Sequence, residues 1–305
     1  MGEGVRIMPT VPASHADLLA NMVDVVLTTE MPDGRLQSTV VWFSANRGDI
    51  LVNTMREFQK ARNLLARPRA TVLIREPPPG ERWIEIRAGV TIEKAGAMAH
   101  LDMLARAYEH ADRYFGEVVP AELAAVEHPL LCRLRPLHIT VGPTRDPPRS
   151  PGVEPAASVG TGPRGCSRDV AIPASHRDLL ERPLLAALST HLRSGAQTHP
   201  VWFGWDGNDL LISTTLERTK GRNLQRDPRA TILVIDPEDG GRWIEIRGDV
   251  ELQHAEDEDL LDRLTQRYTG WPSFYGCIYP ENRRGAETRV TVRIHPVHVN
   301  RDAIH

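Results

Sequence analysis

Two lysines stand where a phosphate could be held. The sequence has only three, Lys60, Lys94 and Lys220, while arginine is the default cation elsewhere. Lys220 lies in TTLERTKGRNLQRDPR (Thr214–Arg229), and Lys60 lies in an earlier counterpart, TMREFQKARNLLARPR (Thr54–Arg69). Each segment reads as a strand end, a tight turn, a short helix and the start of the next strand. The lysine falls at the mouth of the helix, followed by Arg222 or Arg62 and then Asn223 or Asn63. A helix N-terminus offers unpaired N–H groups and partial positive charge, so cations added there make a cradle for phosphate. Retention of lysine at both places favours a compact ammonium over a planar guanidinium. The alternative is a pair of solvated helix-start residues that survived duplication.

The elements that must position these residues occur twice. VPASHADLL from Val11 returns as IPASHRDLL from Ile172, and VWF at Val41–Phe43 returns at Val201–Phe203. The RWIEIR of Arg82–Arg87 returns at Arg242–Arg247, Tyr108 at Tyr268 and His138 at His298. The one-residue slip in offset falls in the hairpin between Thr29 and Val40, where a loop absorbs it. Two copies are expected, 11–142 and 170–301, joined by a Pro/Gly-rich linker over 143–169. In each copy a short helix opens at Pro-Ala-Ser-His. Strands are expected over Val23–Thr29, Thr39–Ser44 and Asp49–Thr54, and over Leu184–Thr190, His199–Gly204 and Asp209–Thr215. The short helix ends before Pro68 or Pro228. Strands follow over Ala70–Arg75 and Arg82–Ile92, or Ala230–Ile235 and Arg242–Leu252. A helix over Ala95–Tyr108 or Ala255–Tyr268 precedes a last strand, Cys132–Val141 or Arg289–Val299. The fold class is mainly β: a small antiparallel β-barrel with short helices, in tandem.

Bulk properties exclude several classes. At 305 residues with 41% hydrophobic and 25% charged residues, the chain has room for two ordinary globular domains. A formal net charge of −3 gives no electrostatic reason to expect nucleic acid. No apolar run approaches the roughly 20 residues of a membrane span. MGEGVRIMPT lacks the apolar core of a secretory signal, so a cytoplasmic location is expected. Cys132, Cys166 and Cys277 are odd in number and far apart, which suits neither a disulfide framework nor a zinc site.

In order, the motifs are x-P-V-W-F, D-G-N-D, an S-T-T strand end, R-x-K-x-R-N-L-x-x-x-P-R-A and R-W-I-E-I-R-G. Together they resemble the split β-barrel flavin and deazaflavin proteins of the pyridoxamine-5′-phosphate-oxidase-like fold. The likeness is greatest to the branch of actinobacterial reductases that use coenzyme F420, and it covers nearly all of both copies. Because family members are usually homodimers with cofactor sites in the cleft between subunits, the resemblance implies an intramolecular pseudo-dimer here. It implies that Lys220 and Arg218 bind the cofactor phosphate, supported by Arg222 and Asn223. It implies further that Ser213, Thr214 and Thr215, with Pro200, Val201 and Trp202, border the tricyclic ring. Lys60, Arg62, Asn63 and Thr54 are the corresponding residues of the first copy. That copy departs from the pattern, with Phe58 for Arg218, Val40 for Pro200 and Ala88 for Gly248. One intact site on the second copy is therefore expected. The first-copy site is degraded, holds another ligand or serves as an opposing wall.

The implied activity is F420-dependent hydride transfer to an unsaturated small organic substrate, with a secondary metabolite as one candidate class. Alternatives are an FMN-dependent enzyme of the same fold and a flavin- or deazaflavin-binding protein without turnover. No residue stands out as catalytic or as proton donor. Other features have plainer readings. Trp83 and Trp243 suit a core or interface, and Trp202 suits ring contact and core filling equally. His295 and His298, three apart in a strand, are expected on opposite faces and not to bind metal. The acidic run Glu256–Asp259 suits a helix start. The aromatic stretch Tyr268–Tyr279 reads as packing, with a lid over the substrate as the functional reading.

Overall fold

The computed structural model describes residues 9–21, 23, 25–78, 80–143, 170–254 and 259–302. The chain divides into two compact units, which take 9–143 and 170–302 of these residues. The expected linker, apart from Pro143, and most of the acidic run before Asp259 lie outside the described residues.

The first unit contains strands β1 (Val25–Glu30), β2 (Leu36–Val41), β3 (Phe43–Asn46) and β4 (Asp49–Met55), then helix α1 (Gln59–Ala66). Strands β5 (Arg69–Arg75) and β6 (Trp83–Glu93), helix α2 (Ala97–Glu109) and strand β7 (Pro129–Gly142) complete it. One antiparallel sheet runs β2-β1-β5-β6-β7-β4-β3. Consecutive strands β2 and β3 thus sit at opposite edges, and the chain crosses from one edge to the other through Trp42, so the sheet curls into a split barrel. This corrects the single expected strand Thr39–Ser44. Its continuous apolar run hides a corner, because Val41 pairs with Val25 on one edge while Phe43 pairs with Val52 on the other.

The second unit repeats the plan. It contains α3 (Arg177–Glu181), β8 (Ala186–Leu192), β9 (Gly195–Val201), β10 (Gly204–Trp205), β11 (Leu210–Thr215) and α4 (Thr219–Arg226). Strands β12 (Arg229–Asp236) and β13 (Asp239–His254), helix α5 (Asp259–Thr269) and strand β14 (Arg289–Arg301) follow. The sheet order is β10-β11-β14-β13-β12-β8-β9, with Trp202 at the corner between β9 and β10.

Alternation fills each barrel with β-branched and leucine side chains. Phe43, Ile50 and Ile84 lead the core of the first unit, and Phe203, Ile232 and Ile244 that of the second. The arginine that opens R-W-I-E-I-R clamps the N-terminal turn onto the barrel. Arg82 bridges Asp17 and Glu76, and Arg242 bridges Asp178 and Asp236. Each pairing holds the partner carboxylates below the usual range. Trp243 is fully buried in its unit.

The last strand carries a bulge in both units. His298 pairs with Arg247 and Pro296 with Gly248, leaving Val297 as the extra residue. His295 and His298 therefore face Asp249 and Arg247, two apart on one strand, so they share a face. The expectation of opposite faces fails because strand alternation does not survive an inserted residue. The His295 Nδ1 is engaged by Asp209 at 3.0 Å. No described helix is long and apolar enough to cross a membrane.

Candidate functional site

In both units the helix that carries the lysine is short, eight residues, and begins directly after an extended residue, Phe58 or Arg218. Neither N-cap residue caps the helix with its side chain. The turn before each helix is held by the same carboxylate latch. Glu57 accepts the His128 N–H, and Glu217 accepts the Thr288 N–H, each at 3.0 Å. Arg62 donates back to the Glu57 carbonyl and Arg222 to the Glu217 carbonyl. The arginine of K-x-R-N-L thus braces its own turn.

The asparagine anchors the helix. Asn223 is buried, and its side-chain amide donates to Thr190 Oγ1 at 3.0 Å and Gln197 Oε1 at 3.1 Å. Asn63 makes the same pair of bonds to Thr29 and Gln37. Both amide protons are committed within the protein. The residue fastens the helix to the first hairpin, so its place in the site is that of a support.

The mouths themselves differ. In the second unit Lys220 is half-buried at the helix start. Among the described residues its ammonium has no carboxylate or hydrogen-bond partner. Burial pushes it down to about 8, and the charge of Arg218 acts in the same direction. Arg218 is exposed, with Glu287 3.9 Å away. Gly221 allows the helix to approach the strand end closely, since a Cβ there would stand 2.1 Å from the Thr215 carbonyl oxygen. The Thr214 hydroxyl is buried without a partner, Ser213 is half-buried, and Thr215 is fully buried beside the helix.

A third cation, missed in the sequence, joins this mouth. Arg289 opens β14 and pairs in register with Thr215. It donates to the Tyr275 hydroxyl at 2.9 Å and lies 6.0 Å from the Phe274 ring, while its Nε is buried without a partner. The available signal was a difference between copies, because the corresponding residue of the first is Pro129.

The first mouth is filled with apolar groups. Phe58 packs beside Trp42 on a cluster that contains Met55, Leu101, Ala105 and Tyr114. The buried Lys60 places its ammonium 5.5 Å from the Phe58 ring. Burial pushes this lysine down to about 8 as well, and the nearby Cys132 thiol is pushed up to about 12. Where the first unit has Met55, Phe58 and Ala105, the second has Thr215, Arg218 and Thr265. Thr54, like Thr214, keeps a buried hydroxyl without a partner.

The Pro200–Trp202 segment lies at the barrel corner. Pro200 pairs with Ala187, Val201 is buried in the core, and Trp202 stacks on Tyr268 with centroids 5.4 Å apart. Trp202 also packs with Leu211, Leu260 and Leu264. Trp42 stacks on Tyr108 in the same way. The tyrosine hydroxyl is itself fixed, bridging the strand corner at Phe203 to Leu184. In the aromatic stretch, Phe274, Tyr275 and Tyr279 pack on one another.

Three cations, Lys220, Arg218 and Arg289, a close backbone approach at Gly221 and the buried Thr214 hydroxyl thus gather around one helix mouth. Residues 172–301 match the family model described as pyridoxamine 5′-phosphate oxidase. The match spans nearly the whole second unit, whose fold is that of a pyridoxamine 5′-phosphate oxidase-like split barrel. Similar solved structures include an F420 reductase, 30% identical over 42% of this chain and 98% of its own, with a TM-score of 0.37. A conserved hypothetical protein from Mycobacterium tuberculosis is 21% identical over 47% of this chain and 91% of its own, with a TM-score of 0.37. The haem storage protein HutZ of Vibrio cholerae is 17% identical over 44% and 94%, with a TM-score of 0.33. No curated protein matches.

Proposed function

We propose that the chain is an F420-dependent oxidoreductase that reduces an unsaturated small organic substrate, with its cofactor phosphate held at the α4 mouth. The observation that carries this reading is Lys220. Among the described residues its ammonium stands at a helix N-terminus without a carboxylate partner, and a bound anion there would offset its cost in solvation. The choice of F420 over FMN rests on the resemblance of the K-x-R-N-L segment and its flanking motifs to the F420 reductases.

The residues present fit the group. Lys220 and Arg218 meet the phosphate, Arg289 adds charge at the same strand end, and the Thr214 hydroxyl supplies one uncommitted donor. Arg222 and Asn223 hold the turn and helix in place. Bound reduced F420 supplies the hydride; the protein supplies position and electrostatics. The ammonium must be protonated to attract the anion. Affinity is therefore steady below about pH 8 and falls above it as Lys220 loses its proton. A phosphate monoester such as that of FMN also gains its second charge near pH 6, so its affinity would rise between about pH 5 and 7 where a diester's would not.

Titration of the purified chain with F420 and with FMN, across pH 5 to 10, tests this reading. F420 binding that is flat to pH 8, with oxidation of reduced F420 by a panel of enones and imines, is expected. FMN binding alone would move the protein to the flavin side of the fold. Binding of F420 without turnover of any acceptor would leave a carrier, and binding of neither would remove the proposal.

A further inference from the structure

A second constellation lies within the first unit, away from the lysine mouth. Ser44 sits on β3, Asn53 on β4 and His100 on α2. Ser44 and Leu51 face each other across β3 and β4, and Leu51 packs with Ala97 and Leu131 beneath α2. One face of the sheet thus brings Ser44 and Asn53 under the first turns of the helix. The Ser44 Oγ is 2.9 Å from His100 Nε2, and His100 Nδ1 is hydrogen-bonded to Asn53 Oδ1. All three residues are half-buried.

The direction of each proton follows from the asparagine. Asn53 Nδ2 donates to the Ala97 carbonyl at 2.9 Å and the Leu130 carbonyl at 3.3 Å. These two acceptors fix the amide orientation, so the atom facing the imidazole is its oxygen. An oxygen there requires N–H at His100 Nδ1. In the neutral ring Nε2 then carries the lone pair, and the Ser44 hydroxyl donates to it. Burial and the charge of Arg133 both favour that neutral ring. A nucleophile, a base in reach and a third group that fixes the base's tautomer are the parts of an activated serine.

A backbone N–H stands beside the serine. Arg47 and Gly48 form a two-residue hairpin with positive φ at both positions. Asn46–Asp49 and Ser44–Leu51 are then the hydrogen-bonded pairs. The N–H of the exposed Ala45, next to the serine, points to the open edge of the sheet, where β3 has no further strand among the described residues. The second unit has Gly204, Ser213 and Leu260 at the three places, so the constellation belongs to the first unit alone.

We propose that Ser44, His100 and Asn53 form a nucleophilic acyl-transfer site that accepts small carboxylic esters at the edge of the first barrel. Ser44 Oγ bonds to the carbonyl carbon while its proton passes to His100 Nε2. The bond to the alcohol oxygen breaks, and the alcohol leaves with that proton. Water repeats the sequence on the acyl-serine, releasing the acid and restoring the hydroxyl. Asn53 is the positioning residue.

The test is covalent labelling of the full chain with an alkyl fluorophosphonate, with the adduct located by peptide mass spectrometry. One adduct per chain on Ser44 is expected, formed in competition with p-nitrophenyl acetate. His100→Gln should slow labelling by about a hundredfold, within the range of general-base assistance, and Ser44→Ala should abolish it. Location of the adduct in the unaltered protein needs no variant, so a misfolded mutant does not blunt the test. No adduct, an adduct elsewhere, or labelling unchanged in a folded His100→Gln protein would overturn the assignment to a hydrogen-bonded strut.

Discussion

The helix mouths of the two units share a scaffold and differ in what finishes them. The glutamate latch and the buried asparagine recur with the same distances, and the arginine brace recurs with the same partners. On this common frame the first unit places Phe58, Met55 and Ala105, and the second places Arg218, Thr215 and Thr265. Lys60 rests near an aromatic face, whereas Lys220 stands with two arginines nearby. The two units therefore share the parts that hold the lysine and differ in the side chains around it. The asparagine bonds are the costliest part of that frame to alter, because they are buried on both sides.

The largest effect should come from filling the bulge in the second unit. A Cβ on Gly248 would stand 2.3 Å from Ile294 Cγ2 and 2.7 Å from the His295 carbonyl oxygen. Gly248→Ala should lower stability to denaturant by about 1–3 kcal/mol, while Ala88→Gly in the first unit should cost about 1 kcal/mol or less. Equal losses would mean the two bulges are not packed differently. Next is the shared support. Asn63→Ala and Asn223→Ala each leave a buried threonine and glutamine oxygen without their donor, and each should cost about 1–3 kcal/mol in urea unfolding. A loss in only one unit would break the claim of a common frame.

The smallest effect has the opposite sign. A lysine with a lowered folded-state pKa is penalised in full below about pH 8, and the penalty fades as pH rises from there toward the ordinary 10.5. Lys220→Met should therefore stabilise the ligand-free protein at pH 7 by about 1–2 kcal/mol, with the gain shrinking at pH 10. Lys60→Met should gain less, because its ammonium also forfeits a cation–π contact of about 0.5–1 kcal/mol. Thermal melts at the two pH values would show this.

Much of this was legible in the sequence, for identifiable reasons. Repetition exposed the succession of most strands and helices along the chain, and the K-x-R-N-L segment marked the helix mouth because lysine is so rare here. Asn223 was legible as a support of the turn, but its partners Thr190 and Gln197 were not, since they lie far back in the chain. The Trp42 and Trp202 corners were invisible because the apolar run passes through them unbroken while the pairing changes edge. Arg289 became noticeable only beside Pro129. Ser44 and His100, far apart in sequence, are joined by the packing of α2, which no local pattern encodes.

The most direct test of the asymmetry is F420 binding, followed by fluorescence, in the parent chain, Lys220→Ala and Lys60→Ala, with sites counted per chain. One site per chain is predicted, weakened about a hundredfold or more by loss of the charged contact at Lys220 and changed less than about threefold by Lys60→Ala. Two equal sites, or equal losses in the two variants, would contradict the account.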